Sequence, residues 1–333
     1  MQKDFMAQLL ERARRAPRSI AFPEALEEKV LLAARKVLDL GVAKPILIGQ
    51  RAEIEAAAAK VGVTVEGFEI VDNSDEAICA DLIEQFLKIS SDFSEKTLLR
   101  KFKAPLNFAA AMVKCGKADC LAAGVTHTTG DVVYTSQVFI GLKEGISTVS
   151  SLGVVECPNF ETSEGHLLAI TDCAVCTSPD SEELADIAIT TSDTMRKLLD
   201  WEPRTAILSY STKGSGQHEV VDKAIAAVKI ANEKRPDLNI DGEFQIDAAI
   251  IPAVAAKKVK EESAVAGKAN ILVFPDLQAG NIGVKLIQIF GGCLAYGPLL
   301  QGFMRPVTDF SRSAPVDEIV GNLTMLSVLA QDD

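Results

Sequence analysis

Short apolar runs alternating with stretches of helical period constrain this chain more than any other feature. Residues 19–22 read as a strand ended by Pro23 and Glu24. Residues 26–40 carry Val30, Leu31, Ala34, Val37 and Leu38 at helical spacing, and Gly41 supplies a left-handed stop. Residues 45–48 read as a second strand, Gly49 turns the chain, and 52–61 return to helical period. Residues 109–116 and 119–124 continue the alternation. Strand, helix, strand in this order predicts βαβ units, hence a parallel sheet covered by helices on both faces.

Between Gly145 and Ser163, Ser, Thr, Gly, Cys and Pro break the rhythm, and the residues alone place a domain boundary there. A length of 333 residues agrees with two domains at roughly 150 residues each. Beyond the boundary, helices are predicted over 182–199, 219–232, 282–290 and 316–330, and strands over 205–210, 247–251 and 270–274.

Several classes are excluded. No apolar run reaches about 18 residues, so no membrane span is expected. Residues 1–18 mix charge with apolar side chains and carry acids at Asp4 and Glu11, unlike a secretory signal. Seven scattered cysteines do not form a disulfide framework, and a reduced, cytoplasmic protein is expected. Cys173 and Cys176 have the C-x-x-C spacing, but no second ligand pair or nearby His accompanies them, so inert thiols and no metal are expected. The net charge, 34 − 46 = −12, argues against nucleic acid, which selects a positive surface. It would also repel an anionic substrate, so any such ligand needs local attraction.

In parallel α/β sheets, ligands meet loops at the carboxyl ends of strands. Four segments qualify. Ser211-Thr212-Lys213-Gly214-Ser215-Gly216 follows a strand and precedes a helix; Lys213, Gly214 and Ser215 suit an anion, although Lys213 precedes the glycine as no Walker loop does. Gly280 and Asn281 stand where a helix start presents amide donors, or where Asn281 caps the helix. Ser311 and Arg312 precede the last helix, and Ser with Arg beside a helix N-terminus suits an oxyanion or phosphoryl group. Asp317 and Glu318 occupy the first turn of that helix, where acids also favour the dipole, so one of the two reads as structural. The fourth segment, residues 124–131, clusters hydroxyls, Thr129 among them, around His127; His127 could be a base, but with no partner acid in sight a hydrogen-bonded structural histidine is the favoured reading.

Taken together, ILSYSTKGSG, RPDLNIDGEFQIDAAI, AGKANILVFPDLQAGNIGVKLIQ and YGPLLQGFMRPVTDFSR, with AGVTHTTGDVV and SPDSEELADIAI upstream, resemble the phosphate acetyltransferase (phosphotransacetylase) family. The resemblance implies two α/β domains of the isocitrate/isopropylmalate-dehydrogenase-like type with a cleft between them. It moves the boundaries to 1–145 plus 300–333 for the first domain and 146–299 for the second, and it implies a homodimer. The implied reaction is acetyl phosphate + CoA ⇌ acetyl-CoA + phosphate by direct transfer, with CoA as substrate and no separate cofactor. Ser311 and Arg312 would stabilise the carbonyl oxygen and leaving phosphate. The family's aspartate base falls on Glu318, and substrate contacts fall on Lys213, Gly214, Ser215, Gly280, Asn281 and Thr129.

Departures from the family pattern bear on binding. Ser313 stands where the family usually has Gly, and Tyr134 stands where it has an anion-binding arginine. A second such arginine falls near Lys88. Tyr offers neither charge nor a bidentate fork, and Lys offers charge without the fork. These departures, with Glu318 in place of an aspartate, raise the alternative of a weakened paralogue that binds CoA in a regulatory role; separately, acetyl is the default acyl group and butyryl or another short chain the alternative. A dehydrogenase on the related fold would need a nicotinamide cofactor and an acid set that the sequence lacks.

Overall fold

A computed structural model describes residues 5–331 of the chain; Met1–Asp4 of the expected N-terminal segment, with Asp332 and Asp333, lie outside them. The chain divides into two compact units, Met1–Lys143 with Phe303–Asp333, and Glu144–Gly302.

Unit 1 contains the strands β1 (Arg18–Phe22), β2 (Ala43–Ile48), β3 (Glu69–Val71) and β4 (Cys120–Ala123). Its helices before the crossover are α1 (Phe5–Arg15), α2 (Glu28–Asp39), α3 (Arg51–Lys60), α4 (Glu76–Ile89), α5 (Glu95–Lys101), α6 (Pro105–Lys114) and α7 (Thr129–Phe139). Unit 2 follows with β5 (Ser150–Glu156), β6 (Leu167–Thr171), α8 (Ser181–Leu199), β7 (Arg204–Leu208), α9 (Glu219–Lys234) and β8 (Asn239–Phe244). It ends with α10 (Ile246–Ile250), α11 (Pro252–Lys258), β9 (Ile271–Val273), α12 (Leu277–Gly291) and β10 (Leu294–Gln301). The chain then returns to unit 1 with β11 (Val307–Asp309) and α13 (Val316–Leu329).

In unit 1 the strand order is β3-β2-β1-β4-β11, and each of these pairings is parallel. Ile20, Ala21 and Phe22 are fully buried, as a strand paired on both edges and covered on both faces requires. Helix α2 packs Val30, Leu31, Ala34 and Val37 inward and is followed by Gly41 at φ +69°, the left-handed position expected of it. Helix α13 packs against α1 and α2 and is buried from Ile319 through Val328, the polar Asn322, Thr324 and Ser327 included, so it is packed on nearly every face rather than on one stripe.

Unit 2 departs from the all-parallel expectation. Its order is β10-β5-β6-β9-β7-β8, and β5 runs antiparallel to both β6 and β10. The parallel strands β6, β9, β7 and β8 carry the alternation that builds its two cores. Ile207, Val273 and Ile240 face the buried side chains of α8 and α9, while Ala206, Leu208, Leu272 and Phe244 face the opposite core.

Candidate active site

Strands β1, β4 and β11 lie side by side and parallel, so the loops after them gather at one edge of unit 1. The β1 loop brings Glu24, the β4 loop brings residues 124–128 into α7, and the β11 loop brings Ser311 and Arg312. The β4 and β11 loops touch because Gly124, at φ +116°, has no side chain: a Cβ there would lie 2.5 Å from the Phe310 backbone nitrogen and overlap the Asp309 carboxylate.

Helix α7 starts from a capping box, in which Thr128 Oγ1 accepts from the Asp131 N–H at 3.2 Å and Asp131 accepts from the Thr128 N–H at 3.1 Å. Thr129 Oγ1 donates to Asp309 Oδ2 at 2.5 Å. Asp309 is buried, and its Oδ1 has no hydrogen-bond partner among the described residues. Burial drives its carboxyl up to about 6; the Thr129 bond opposes this and the nearby Glu24 charge adds to it.

Glu24 has the opposite environment. Burial alone would raise its carboxyl, but His127 Nδ1 at 2.8 Å and the N–H groups of His127, Thr126 and Val125 hold it at about 2. Its carboxylate in turn raises His127, against the burial that would lower it. His127 therefore does have a partner acid, which sequence reasoning missed because it lies 103 residues away.

The β11 loop is pinned from α2: Lys29 Nζ donates to the Arg312 and Ala314 carbonyl oxygens at 3.1 and 3.0 Å. Ser311 and Arg312 are exposed, and Arg312 lies close enough to Asp131 to help hold its carboxyl down. Ser313 places its hydroxyl 3.0 Å from that of Ser311. The two acids of the first α13 turn differ. Asp317 is exposed and takes Lys36 Nζ at 2.5 Å, whereas Glu318 is half-buried, and burial raises its carboxyl against the pull of Lys29.

Tyr134, in α7, is 64% exposed, and Lys88, in the last turn of α4, pairs with Glu84 at 2.7 Å on the surface. No ion pair or hydrogen bond among the described residues joins Lys88 to the β11 loop.

In unit 2 the expected donors are turned inward. Lys213 Nζ donates to Asp241 Oδ1 at 2.6 Å and to the Gly242 carbonyl oxygen at 2.8 Å. The Gly214 N–H donates to buried Glu243 at 2.9 Å, and Ser215 Oγ accepts from the Thr212 N–H at 2.9 Å. Gly280 and Asn281 require a correction. Helix α12 begins at Leu277 and is capped by Asp276, so neither residue stands at the helix start. The Gly280 N–H donates to the Asp276 carbonyl oxygen at 3.1 Å, and Asn281 Nδ2 donates to the Cys173 carbonyl oxygen at 3.1 Å. Glycine is present at 280 because a Cβ would overlap the Asp172 carbonyl oxygen and lie 3.1 Å from Cys173 Cα.

Burial pushes the thiols of Cys173 and Cys176 up to about 12, so both are protonated at neutral pH. Among the described residues no group of three or more His, Cys, Asp or Glu is arranged to hold a metal ion, and no helix is long and apolar enough to cross a membrane.

A family model described as phosphate acetyl/butaryl transferase matches residues 4–327. The phosphate acetyltransferase of Clostridium acetobutylicum is 40% identical over 334 residues, covering 98% of this chain and 99% of that protein. A crystal structure of a phosphotransacetylase from Streptococcus pyogenes superposes with a TM-score of 0.92 at 35% identity and covers all of both chains (100% each). A 4-hydroxythreonine-4-phosphate dehydrogenase from Klebsiella pneumoniae, at 11% identity and TM-score 0.53 over 94% of this chain and 99% of that one, shares the fold alone. Matched from near its first residue to near its last, the chain belongs to the phosphate acetyl/butaryl transferase family.

Proposed function

We propose that the chain transfers an acetyl group reversibly between phosphate and CoA, and that the β11 loop with α13 carries the chemistry. The observation that supports this most is the unequal pair Asp317 and Glu318. Direct transfer needs a base near the CoA thiol, whose pKa of about 8.5 leaves only a few per cent as thiolate at pH 7. A useful base has its pKa lifted toward the working pH, and burial lifts Glu318 while Asp317 stays at the surface with Lys36.

In this reading Glu318 takes the thiol proton and the thiolate attacks the acetyl carbonyl carbon. The carbon–oxygen bond to phosphate breaks, and phosphate leaves. Ser311 Oγ and the Arg312 guanidinium donate to the developing oxyanion and the departing phosphate. They do so beside the α13 N-terminus, whose partial positive charge adds to theirs. Lys29 fixes the backbone that holds them. Thr129 and, at the periphery, Tyr134 and Lys88 are proposed as contacts to the rest of CoA. Within unit 2, Lys213, Gly214 and Ser215 are proposed as anion contacts, for which Lys213 and Gly214 would have to exchange their present partners.

We also infer a homodimer. Helix α12 exposes Ile282, Leu286, Ile289 and Phe290, the last two at 72% and 82%, and such a patch is costly to leave in water. Formation of the thioester from acetyl phosphate and CoA by the purified chain tests the activity. Faster turnover of butyryl phosphate would assign the longer acyl group, and no turnover of either would leave a CoA-binding role.

A further inference from the structure

Unit 1 has a topological switch point that the catalytic reading above does not use. From β1 the chain builds outward to β2 and then β3, and it returns to lay β4 against the other edge of β1. The order reverses between β1 and β4, and in open parallel sheets ligands enter at the carboxyl ends of the strands flanking such a point. The residues standing there are Glu24, after β1, and His127, after β4.

Their arrangement is specific. Glu24 is 5% exposed and accepts five hydrogen bonds: from the N–H groups of Val125, Thr126 and His127, from Thr126 Oγ1, and from His127 Nδ1, all between 2.8 and 2.9 Å. A carboxylate with that many donors is a pure acceptor, so Nδ1 carries its proton and the ring is favoured as a cation. Nε2 has no hydrogen-bond partner among the described residues, and the ring lines a cavity of about 390 Å³ with Gln50, Ser74 and Lys103.

Around the β11 loop and the start of α13, Lys36 is paired with Asp317. Arg312 is there, and Lys29 is tied to two backbone carbonyls. Where the resemblance expects an arginine, the chain has Tyr134. A phosphoryl group carrying up to two charges, on a protein of net charge −12, needs another local positive donor.

We propose that His127, whose Nδ1 donates to Glu24, is a second anion-contacting residue of the site and in its protonated form donates Nε2–H to a phosphoryl oxygen of the acyl phosphate and of released phosphate. Glu24 is then a positioning residue that acts through His127. The proposal rests on the transferase reading above. The charged groups facing the ring are Glu24, Asp131 in the first turn of α7, Asp309 behind Glu24, Glu27 and Glu53 on the cavity wall, Lys103 opposite, and Arg312 beside Asp131. The acids favour the protonated ring, and Lys103 and Arg312 draw the phosphoryl group with it.

One near-isosteric variant separates contact from scaffolding. His127→Asn places an amide donor where Nδ1 was, keeping the bond to Glu24 and removing the outward donor. It is expected to fold normally, to raise KM for acetyl phosphate by about tenfold or more, and to move KM for CoA by less than about twofold. In the wild type, KM for acetyl phosphate should rise as pH climbs through the His127 pKa, and that rise should vanish in His127→Asn. Independently of turnover, the ring resonance of His127 should titrate at higher pH when inorganic phosphate is added. Normal acetyl phosphate KM in His127→Asn, with no phosphate effect on the resonance, would make the histidine a scaffold only and overturn the proposal. Absence of wild-type turnover would instead overturn the transferase reading, and the phosphate titration would still decide for or against His127.

Discussion

Two carboxylates of unit 1 are driven in opposite directions by their surroundings. Glu24 is held at about 2 because its hydrogen bonds outweigh its burial, whereas Glu318 is raised because burial is opposed only by Lys29. From 4.5 to about 2, the Glu24 shift corresponds to about 3 kcal/mol of stability. Its folded-state pKa is depressed, so this stability is present above about pH 4.5 and is lost as pH falls toward 2. Glu24→Gln is therefore expected to destabilise the protein by about 2–4 kcal/mol at pH 7 in denaturant titrations. The gap to wild type should narrow steadily below about pH 4.5, and a gap independent of pH would contradict the assignment. Glu318 bears on rate instead. Glu318→Gln should lower turnover by about 10²–10⁴-fold, while Asp317→Asn should stay within about twofold. Steady-state assays showing equal, small effects would exclude Glu318 as the base. In the wild type, thioester formation should fall as pH drops through the raised Glu318 pKa.

Among the elements, those with a strong period were legible in the sequence. Helices α2, α9 and α13 and strands β1 and β2 lie within a few residues of their expected bounds. Residues 247–251, expected as a strand, are instead helix α10, Ile246–Ile250, with Ala248 and Ala249 buried. Five residues are too few for periodicity to distinguish the two. Strand β5 was hidden because Ser150, Ser151 and Gly153 resemble a loop; their place is set by pairing with β6 and β10, which no local signal encodes. The candidate site was half legible for the same reason. Ser311, Arg312 and Glu318 are close in sequence and chemically telling, whereas Glu24 and Asp309 join His127 and Thr129 only through the sheet. Gly280 was expected at a helix start but lies inside α12, because a glycine required by close packing looks, in sequence, like one that opens a helix. Gly280→Ala should accordingly destabilise the protein by about 1–3 kcal/mol in thermal or chemical melts, through overlap with Asp172. An unchanged midpoint would contradict the packing role.

For the whole molecule, the net charge of −12 constrains location rather than ligand class. Attraction for phosphate has to be local, and unit 1 concentrates Arg312, Lys29, His127 and the N-termini of α7 and α13 around the ends of β1, β4 and β11. The proposed dimer belongs to this scale as well. Replacing Ile289 and Phe290 by Glu and Lys should shift the protein from dimer to monomer in analytical ultracentrifugation. A monomeric wild type at micromolar concentration would contradict the dimer. The central claim is that acetyl transfer is carried out by the β11 loop of unit 1. Its most direct test is thioester formation from acetyl phosphate and CoA, compared between the wild type and the double variant Ser311→Ala/Arg312→Ala. The double variant is expected to lose at least about 10²–10³-fold in turnover while keeping its melting temperature within a few degrees. Equal rates in the two proteins would contradict the account.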